Sequence, residues 1–181
     1  MALPLQKIAI GLYAGANVML VWVIIEELLK YAVALALIFW NREVDEPIDM
    51  VIYMIVVALG FAALENALFV FNPLVVGEYL NSLLTGSFRF LGSTLLHVLA
   101  SGTVGVFLAL AYYKSNTTQV LAGTFGLFIA IVLHYLFNEF IMDASGEGIL
   151  IIFLFVWMGI ILLFLMFEKI KQIEYAHTPH R

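Results

Sequence analysis

The sequence has no cysteine and few charged residues. Without cysteine the chain can form no disulfide, no thiolate metal site and no cysteine nucleophile. Only 12% of its 181 residues are charged, whereas 64% are hydrophobic, and the mean hydropathy is +1.07. A soluble domain of this length needs a polar surface that such a composition cannot supply. The net charge of -5 is spread along the chain and gives no reason to expect a nucleic-acid partner.

Long apolar stretches take the place of a polar surface. A helix needs about 20 apolar residues to cross the hydrocarbon core, and five stretches meet that length: 18–40, 48–71, 88–113, 119–142 and 149–167. The sequence therefore predicts an all-α, polytopic transmembrane helix bundle of about five spans. Pro73 is expected to end the second span, because proline removes a hydrogen-bond donor and clashes with the preceding turn. Residues 74–86 form the predicted connector to the third span, with a short surface helix as the alternative.

The predicted organisation has three parts. Residues 1–17 read as an interfacial or broken-helix segment, residues 18–167 as the transmembrane domain, and residues 168–181 as a cytoplasmic tail. Positive residues of short loops favour the cytoplasm, and Arg42, Lys114, Lys169 and Lys171 fall on one side. We therefore expect the N-terminus outside and the C-terminus in the cytoplasm of a prokaryotic cell.

Ionisable residues inside the spans are the candidates for function, because charge inside a membrane is costly. They are Glu26, Glu27, Lys30, Glu65, Arg89, His97 and His134, with Asn66 and Asn138 as polar companions. Glu26, Glu65, His97 and His134 lie 14 to 17 residues from the same end of their spans. At 1.5 Å per residue this places all four about 21 to 26 Å from that end. Four helices thus bring acids and imidazoles to one level, nearer the outer face.

Spacing along each helix supports one shared site. Glu26 and Lys30 are four residues apart and share a helix face, as do His134 and Asn138. The alternative is structural: Glu27, Lys30 and Arg89 form an ion-pair network that locks the bundle, and the histidines only pack.

The residue types fit two kinds of peptide-bond hydrolysis. A glutamate can act as general base on a water, with an imidazole beside it and His or Asn donors for an oxyanion. Two histidines with a carboxylate also make a catalytic zinc set. A zinc site would draw on Glu26, Glu65, His97 and His134, assembled from separate helices because the HExxH signature is absent.

Four ordered motifs resemble the PrsW family of intramembrane proteases, which is related to the CAAX prenyl proteases and bacteriocin-immunity proteins. They are EELLK at 26–30, GFAALEN at 60–66, Arg89 with His97, and His134 with Asn138, and EPID at 46–49 adds to the match. The resemblance implies that Glu26 is the base, that His97 assists it, and that His134 and Asn138 bind the oxyanion. Glu65 with Asn66 resembles the extra motif of PrsW proteins. Ser93 stands where the CAAX type has phenylalanine, which argues against prenylated substrates.

The sequence therefore predicts an intramembrane endopeptidase that cuts a membrane-anchored protein near the outer side of the bilayer. Glu27 and Lys30 would tune the base, and Arg89 would hold the site or orient substrate. The resemblance implies an anti-sigma factor as substrate. A metal-free mechanism is favoured, with zinc as the alternative. A non-catalytic immunity or binding protein and a small ion carrier remain the other readings, although no internal repeat of the carrier kind is evident.

Overall fold

The computed structural model describes residues 18–40, 44–75, 77, 79–143 and 147–177, without the side chains of 39–40, 72–74, 81–91 and 142–143. The predicted N-terminal segment 1–17 and the side chain of Arg89 lie outside these described residues. The helices are α1 (Val18–Trp40), α2 (Pro47–Val75), α3 (Tyr79–Leu110), α4 (Asn116–Asp143) and α5 (Glu147–His177). The described part of the chain contains no strand, which confirms the all-α prediction.

Four of the described helices are long and apolar enough to cross a membrane. Their candidate spans are Pro47–Phe71, Gly92–Leu110, Asn116–Ile141 and Glu147–His177. The 23-residue helix α1 is also long enough, but Glu26, Glu27 and Lys30 stand in its middle and are buried by the other helices. Large apolar side chains such as Phe155 and Leu150 are exposed on the outside of the bundle, as contact with lipid requires. The protein is a polytopic membrane helix bundle.

Several helix ends differ from the prediction. Helix α2 passes Pro73 and ends at Val75, because proline weakens the turn before it while its own φ still suits a helix. From Tyr79 onward the predicted connector 74–86 is helical, and this helix is continuous with α3 instead of being a separate surface helix. Between them Gly77 has a φ of 83°, a left-handed conformation that favours glycine. Helix α4 begins one turn early, with the Ser115 hydroxyl accepting from the backbone N–H of Thr118 as a cap.

Helix α3 is the centre of the bundle and packs against all four other helices. Glycine makes this possible at two positions. A Cβ added at Gly105 would lie 2.6 Å from Cα of Val51 on α2, and one added at Gly126 on α4 would lie 3.0 Å from Cα of Val104. Small residues let helix backbones approach closely in lipid. The close α2–α3 and α3–α4 contacts hold three of the site-bearing helices in fixed register.

The last helix continues past the predicted span to His177. Phe167, Ile170 and Ile173 recur every third residue and keep one apolar face, and Ile170 is fully buried against α2 and α3. The ring of His177 stacks on Tyr113, with centroids 4.3 Å apart and an interplanar angle of 8°. Residues 168–177 are therefore a docked part of α5. We call this part of the bundle, with residues 44–46 and 111–115, the tail end.

Acidic side chains meet at the tail end. Asp49 caps the start of α2, because its Oδ2 accepts from the backbone N–H groups of Asp45 at 3.2 Å and Glu46 at 3.0 Å. The carboxylate of Glu174 on α5, with smaller contributions from burial and from Asp49 and Asp45, raises the pKa of the exposed Glu46 carboxyl. Repulsion between α5 and the start of α2 thus opposes the apolar contact of Ile170.

Candidate active site

Helix α1 supplies three charged side chains to the interior of the bundle. Glu27 and Lys30 are one turn apart, and the Lys30 ammonium donates to Oε1 of Glu27 in a buried ion pair. The exposed fractions of these two residues are 1% each, and that of Glu26 is 7%. A buried charge needs a partner, so the ion pair is what makes Lys30 tolerable at this depth.

Helix α4 brings His134 to both glutamates of α1. Nδ1 of His134 lies 2.7 Å from Oε1 of Glu27, the same oxygen that Lys30 contacts. Nε2 of His134 lies 3.8 Å from Oε2 of Glu26. Glu27 thus fixes the Nδ1 side of the imidazole ring. The Nε2 side lies opposite Glu26 across a gap wider than a direct hydrogen bond.

Helices α2 and α3 bring a second histidine to the same cluster. Nδ1 of His97 lies 2.8 Å from the Lys30 ammonium, and Nε2 lies 2.9 Å from Oε2 of Glu65. The Ser93 hydroxyl donates to the same Glu65 oxygen at 3.4 Å. Both nitrogens of His97 are therefore engaged, and 22% of the Glu65 side chain remains exposed.

The two histidines meet edge to face, with ring centroids 4.9 Å apart and planes at 90°. Glu26, His97 and His134 each offer one ligand atom, and these atoms all lie within 4.8 Å of one another. Among the described residues, these three form the group that could hold a metal ion. Glu65 stands outside this group, beside His97. The cluster thus holds an acid and two imidazoles within reach of one small molecule.

The other predicted residues have different positions. Asn66 turns to α3, where its Nδ2 donates to Thr94 Oγ1 at 3.1 Å. Its Oδ1 is buried without a partner among the described residues. Asn138 is half-buried one turn after His134, in line with the predicted pair. Helix α3 carries Arg89, whose side chain is outside the description, so its predicted role is neither supported nor opposed.

Sequence reasoning missed one neighbour of the cluster, Phe61, and one buried hydroxyl further along α3, that of Ser101. The ring of Phe61 lies edge-on to His97 at 5.9 Å, and the Lys30 ammonium lies 5.1 Å from the centre of that ring. Ser101, one turn after His97, is fully buried and its hydroxyl has no partner among the described residues. Phe61 stands four residues before Glu65 in the GFAALEN motif, and that spacing was the available signal.

An apolar groove lies on the opposite side of α3 and α4 from the cluster. It has a volume of about 990 Å³ and runs between α3, α4 and α5. Leu96 and Leu133, which directly precede the two site histidines, line it. Thr103 is the sole polar side chain among its lining residues, and its hydroxyl already donates to the carbonyl of Leu99. The groove supplies no reactive group.

Comparison with known proteins gives a consistent result. A family model described as PrsW family intramembrane metalloprotease matches residues 3–166. The chain is 28% identical to Protease PrsW of Bacillus subtilis (strain 168) over 125 residues, which is 69% of this chain and 53% of that protein. It is 26% identical to Protease PrsW of Clostridioides difficile (strain 630) over 135 residues, 74% of this chain and 55% of that protein. The chain spans about half the length of these curated relatives. No solved structure matches significantly.

The fold and the site define a multi-pass membrane protein with a polar centre built from four helices inside the bundle. The family model covers most of the sequence. The chain belongs to the PrsW family of intramembrane metalloproteases, and its curated relatives are bacterial.

Proposed function

We propose that this protein is an intramembrane endopeptidase that hydrolyses a membrane-anchored protein with a glutamate-activated water. The observation that carries the proposal is the gap between Oε2 of Glu26 and Nε2 of His134, which are 3.8 Å apart. In the proposal, one water beside this gap hydrogen-bonds to both atoms. The position is buried inside the bundle, where few other nucleophiles compete.

Glu26 is the general base of the proposed reaction. Its carboxylate takes one proton from the water, and the oxygen of that water attacks the scissile carbonyl carbon. The protonated Glu26 then gives its proton to the amide nitrogen as the carbon–nitrogen bond breaks. The products are a carboxylic acid and an amine, and Glu26 returns to its starting state.

His134 and His97 orient the water in this proposal. Nε2 of His134 accepts a hydrogen bond from the second O–H of the water, because Glu27 occupies Nδ1. His97 closes the other side of the site, where its ring meets that of His134. Asn138, one turn along the same face of α4, donates its amide N–H to the oxyanion. While Nε2 is unprotonated, His134 has no donor for the oxyanion, so Asn138 supplies that donor in this proposal.

Four further residues support the catalytic side chains without touching the reacting atoms: Glu27, Lys30, Glu65 and Asn66. The first three contact the histidines directly, and Asn66 ties α2 to α3 beside Glu65. Arg89 keeps its predicted role of holding the site or orienting the substrate. The substrate class implied by the family resemblance is an anti-sigma factor, a membrane-anchored protein.

Zinc-dependent hydrolysis at the same site is the second candidate. The group formed by Glu26, His97 and His134 favours it, because two imidazoles and one carboxylate with an open position make a catalytic zinc set. The donors fit zinc in kind and number. When bound, zinc supplies a Lewis acid that makes a water acidic enough to react near neutral pH. His97 would have to exchange Lys30 or Glu65 for the metal.

The experiment compares cells that carry the wild-type protein, Glu26→Gln or Glu139→Gln. Glu139 is an exposed residue of α4 and is the matched control for a glutamate-to-glutamine change in a membrane helix. New N-termini of membrane proteins are quantified by mass spectrometry, so no substrate need be known beforehand. We expect a set of termini that falls at least about 100-fold with Glu26→Gln and persists with Glu139→Gln. The proposal is wrong if no terminus depends on Glu26 while the variant folds normally.

Metal analysis of the purified protein separates the two mechanisms. If the glutamate mechanism is correct, the purified protein contains less than one zinc per chain, and cleavage survives a chelator. One zinc per chain, lost together with cleavage on chelation and absent from His134→Ala, would establish the zinc reaction instead.

A further inference from the structure

The two site histidines are each held by carboxylate or ammonium groups that cannot exchange donor and acceptor roles. We propose that Glu65 and Lys30 are positioning residues that hold His97 protonated on Nε2, while Glu27 holds His134 protonated on Nδ1. The two imidazoles then stand in opposite tautomers. The inference rests on the proposed function only for its consequence, since the tautomers themselves follow from the contacts.

His97 is fixed from both sides. An ammonium has donors and no lone pair, so Nδ1 of His97 must accept from Lys30 across their 2.8 Å contact. An ionised carboxylate accepts only, so Nε2 must donate to Glu65 across 2.9 Å. Lys30 also donates to the Glu27 carboxylate, and the three donors of an ammonium allow both contacts. The two contacts agree on one tautomer of a neutral ring.

His134 is fixed in the reverse sense. Nδ1 lies 2.7 Å from Oε1 of Glu27, and the carboxylate forces that nitrogen to donate. The proton of the neutral ring is thereby assigned, so Nε2 keeps its lone pair. That lone pair faces Oε2 of Glu26 across 3.8 Å. Of the two site histidines, only His134 thus has an imidazole lone pair left for a water.

The consequence is a division of work between two residues of the same type. His134 can accept a hydrogen bond from the water, whereas His97 has no free lone pair on its ring nitrogens. If His134 took the other tautomer, Nε2–H would point toward Glu26 and leave no imidazole acceptor for the water. Holding an imidazole in one tautomer is a known task of a buried carboxylate in hydrolases. Glu27 performs it for His134, and Glu65 with Lys30 performs it for His97.

Nitrogen NMR of the protein labelled with ¹⁵N-histidine measures this directly, because protonated and unprotonated ring nitrogens have well-separated shifts. The sequence contains four histidines, and replacing each with asparagine assigns its signals. His177 is an internal reference, since its Nδ1 lies 2.7 Å from the carbonyl oxygen of Ile173 and must donate to it. We expect His134 to match His177, and His97 to show the reverse pattern.

Variants test which side chain holds which ring. Glu65→Ala alone should keep the His97 tautomer, because Lys30 still donates to Nδ1. Glu65→Ala combined with Lys30→Met should give a mixture of tautomers at His97, and Glu27→Ala should release His134. Glu65→Gln keeps an acceptor oxygen and should retain the wild-type pattern of His97. Thr94→Val is the control, because it removes the α2–α3 hydrogen bond to Asn66 without touching either histidine.

The inference is overturned if His97 is protonated on Nδ1 or on both nitrogens in the wild-type protein. It is equally overturned if Glu65→Ala combined with Lys30→Met leaves the His97 signals unchanged in a folded protein. Neither result depends on proteolysis. If N-terminal profiling finds no cleavage that depends on Glu26, the proposed function is wrong. The tautomers would then still be a property of the buried cluster.

Discussion

The Lys30 ammonium donates to Nδ1 of His97 across 2.8 Å, although 67 positions separate the two residues in the chain. The same ammonium pairs with Glu27, which in turn accepts from His134. Among the described side chains of the site, Lys30 is the one cation, and it links acids and imidazoles. Its removal tests how much the bundle depends on that link.

Replacing Lys30 with methionine should lower the free energy of unfolding by about 3 to 5 kcal/mol, because the buried Glu27 carboxylate loses its cation. Thermal unfolding of the purified protein in detergent measures this. Lys169→Met is the control, since Lys169 is exposed on α5. Adding Glu27→Gln to Lys30→Met should restore part of the loss, with a coupling of about 0.5 to 3 kcal/mol. Strictly additive effects of the two changes would contradict a direct pair.

The close approach of α2 and α3 predicts that Gly105→Ala destabilises the protein by about 1 to 3 kcal/mol. The new Cβ would lie 2.6 Å from Cα of Val51 and 2.9 Å from the carbonyl oxygen of Met50, both backbone atoms that cannot yield alone. Gly60→Ala on α2 is the matched control, because nothing lies within 4 Å of a Cβ there. That change should be neutral or stabilise by up to about 1 kcal/mol. Equal melting temperatures for the two variants would rule out the contact.

Acidic repulsion at the tail end predicts a pH dependence of stability. Glu174 raises the pKa of Glu46 in the folded protein, so folding favours the protonated carboxyl. The contribution of Glu46 to stability is therefore fully present below its unfolded pKa and is lost as pH rises through the folded pKa. Glu46→Gln should raise the melting temperature at neutral pH and have little effect in acid. A gain of the same size at both pH values would contradict this origin.

The unpartnered hydroxyl of Ser101 predicts that Ser101→Ala is neutral or stabilising. A buried polar group without a partner costs about 1 to 3 kcal/mol, and Ser101 is fully buried with no hydrogen bond among the described residues. Alanine fills nearly the same space without the polar atom. Unfolding in detergent checks the sign, and Thr103→Val is the comparison, since Thr103 does donate to a backbone carbonyl. A clear loss of stability for Ser101→Ala would show that the hydroxyl has a bound water as partner.

The sequence alone determined the class of fold and predicted which charged side chains gather inside the bundle. Apolar stretches of membrane length predicted the helices, because hydrocarbon tolerates little besides apolar side chains on a helix. The cost of charge in lipid then marked Glu26, Glu27, Lys30, His97 and His134. Equal depth on separate helices predicted that they meet, and the structure brings them together.

Tertiary structure alone decided which partner each side chain has. Depth along a helix is readable from residue spacing, but rotation between helices depends on contacts such as Gly105 against Val51. For this reason the sequence could not show that Lys30 contacts His97, that Asn66 turns to Thr94, or that Glu65 stands outside the group of Glu26, His97 and His134. The ends of α3 and α5 were also misjudged, because packing on neighbouring helices, not hydropathy, sets them.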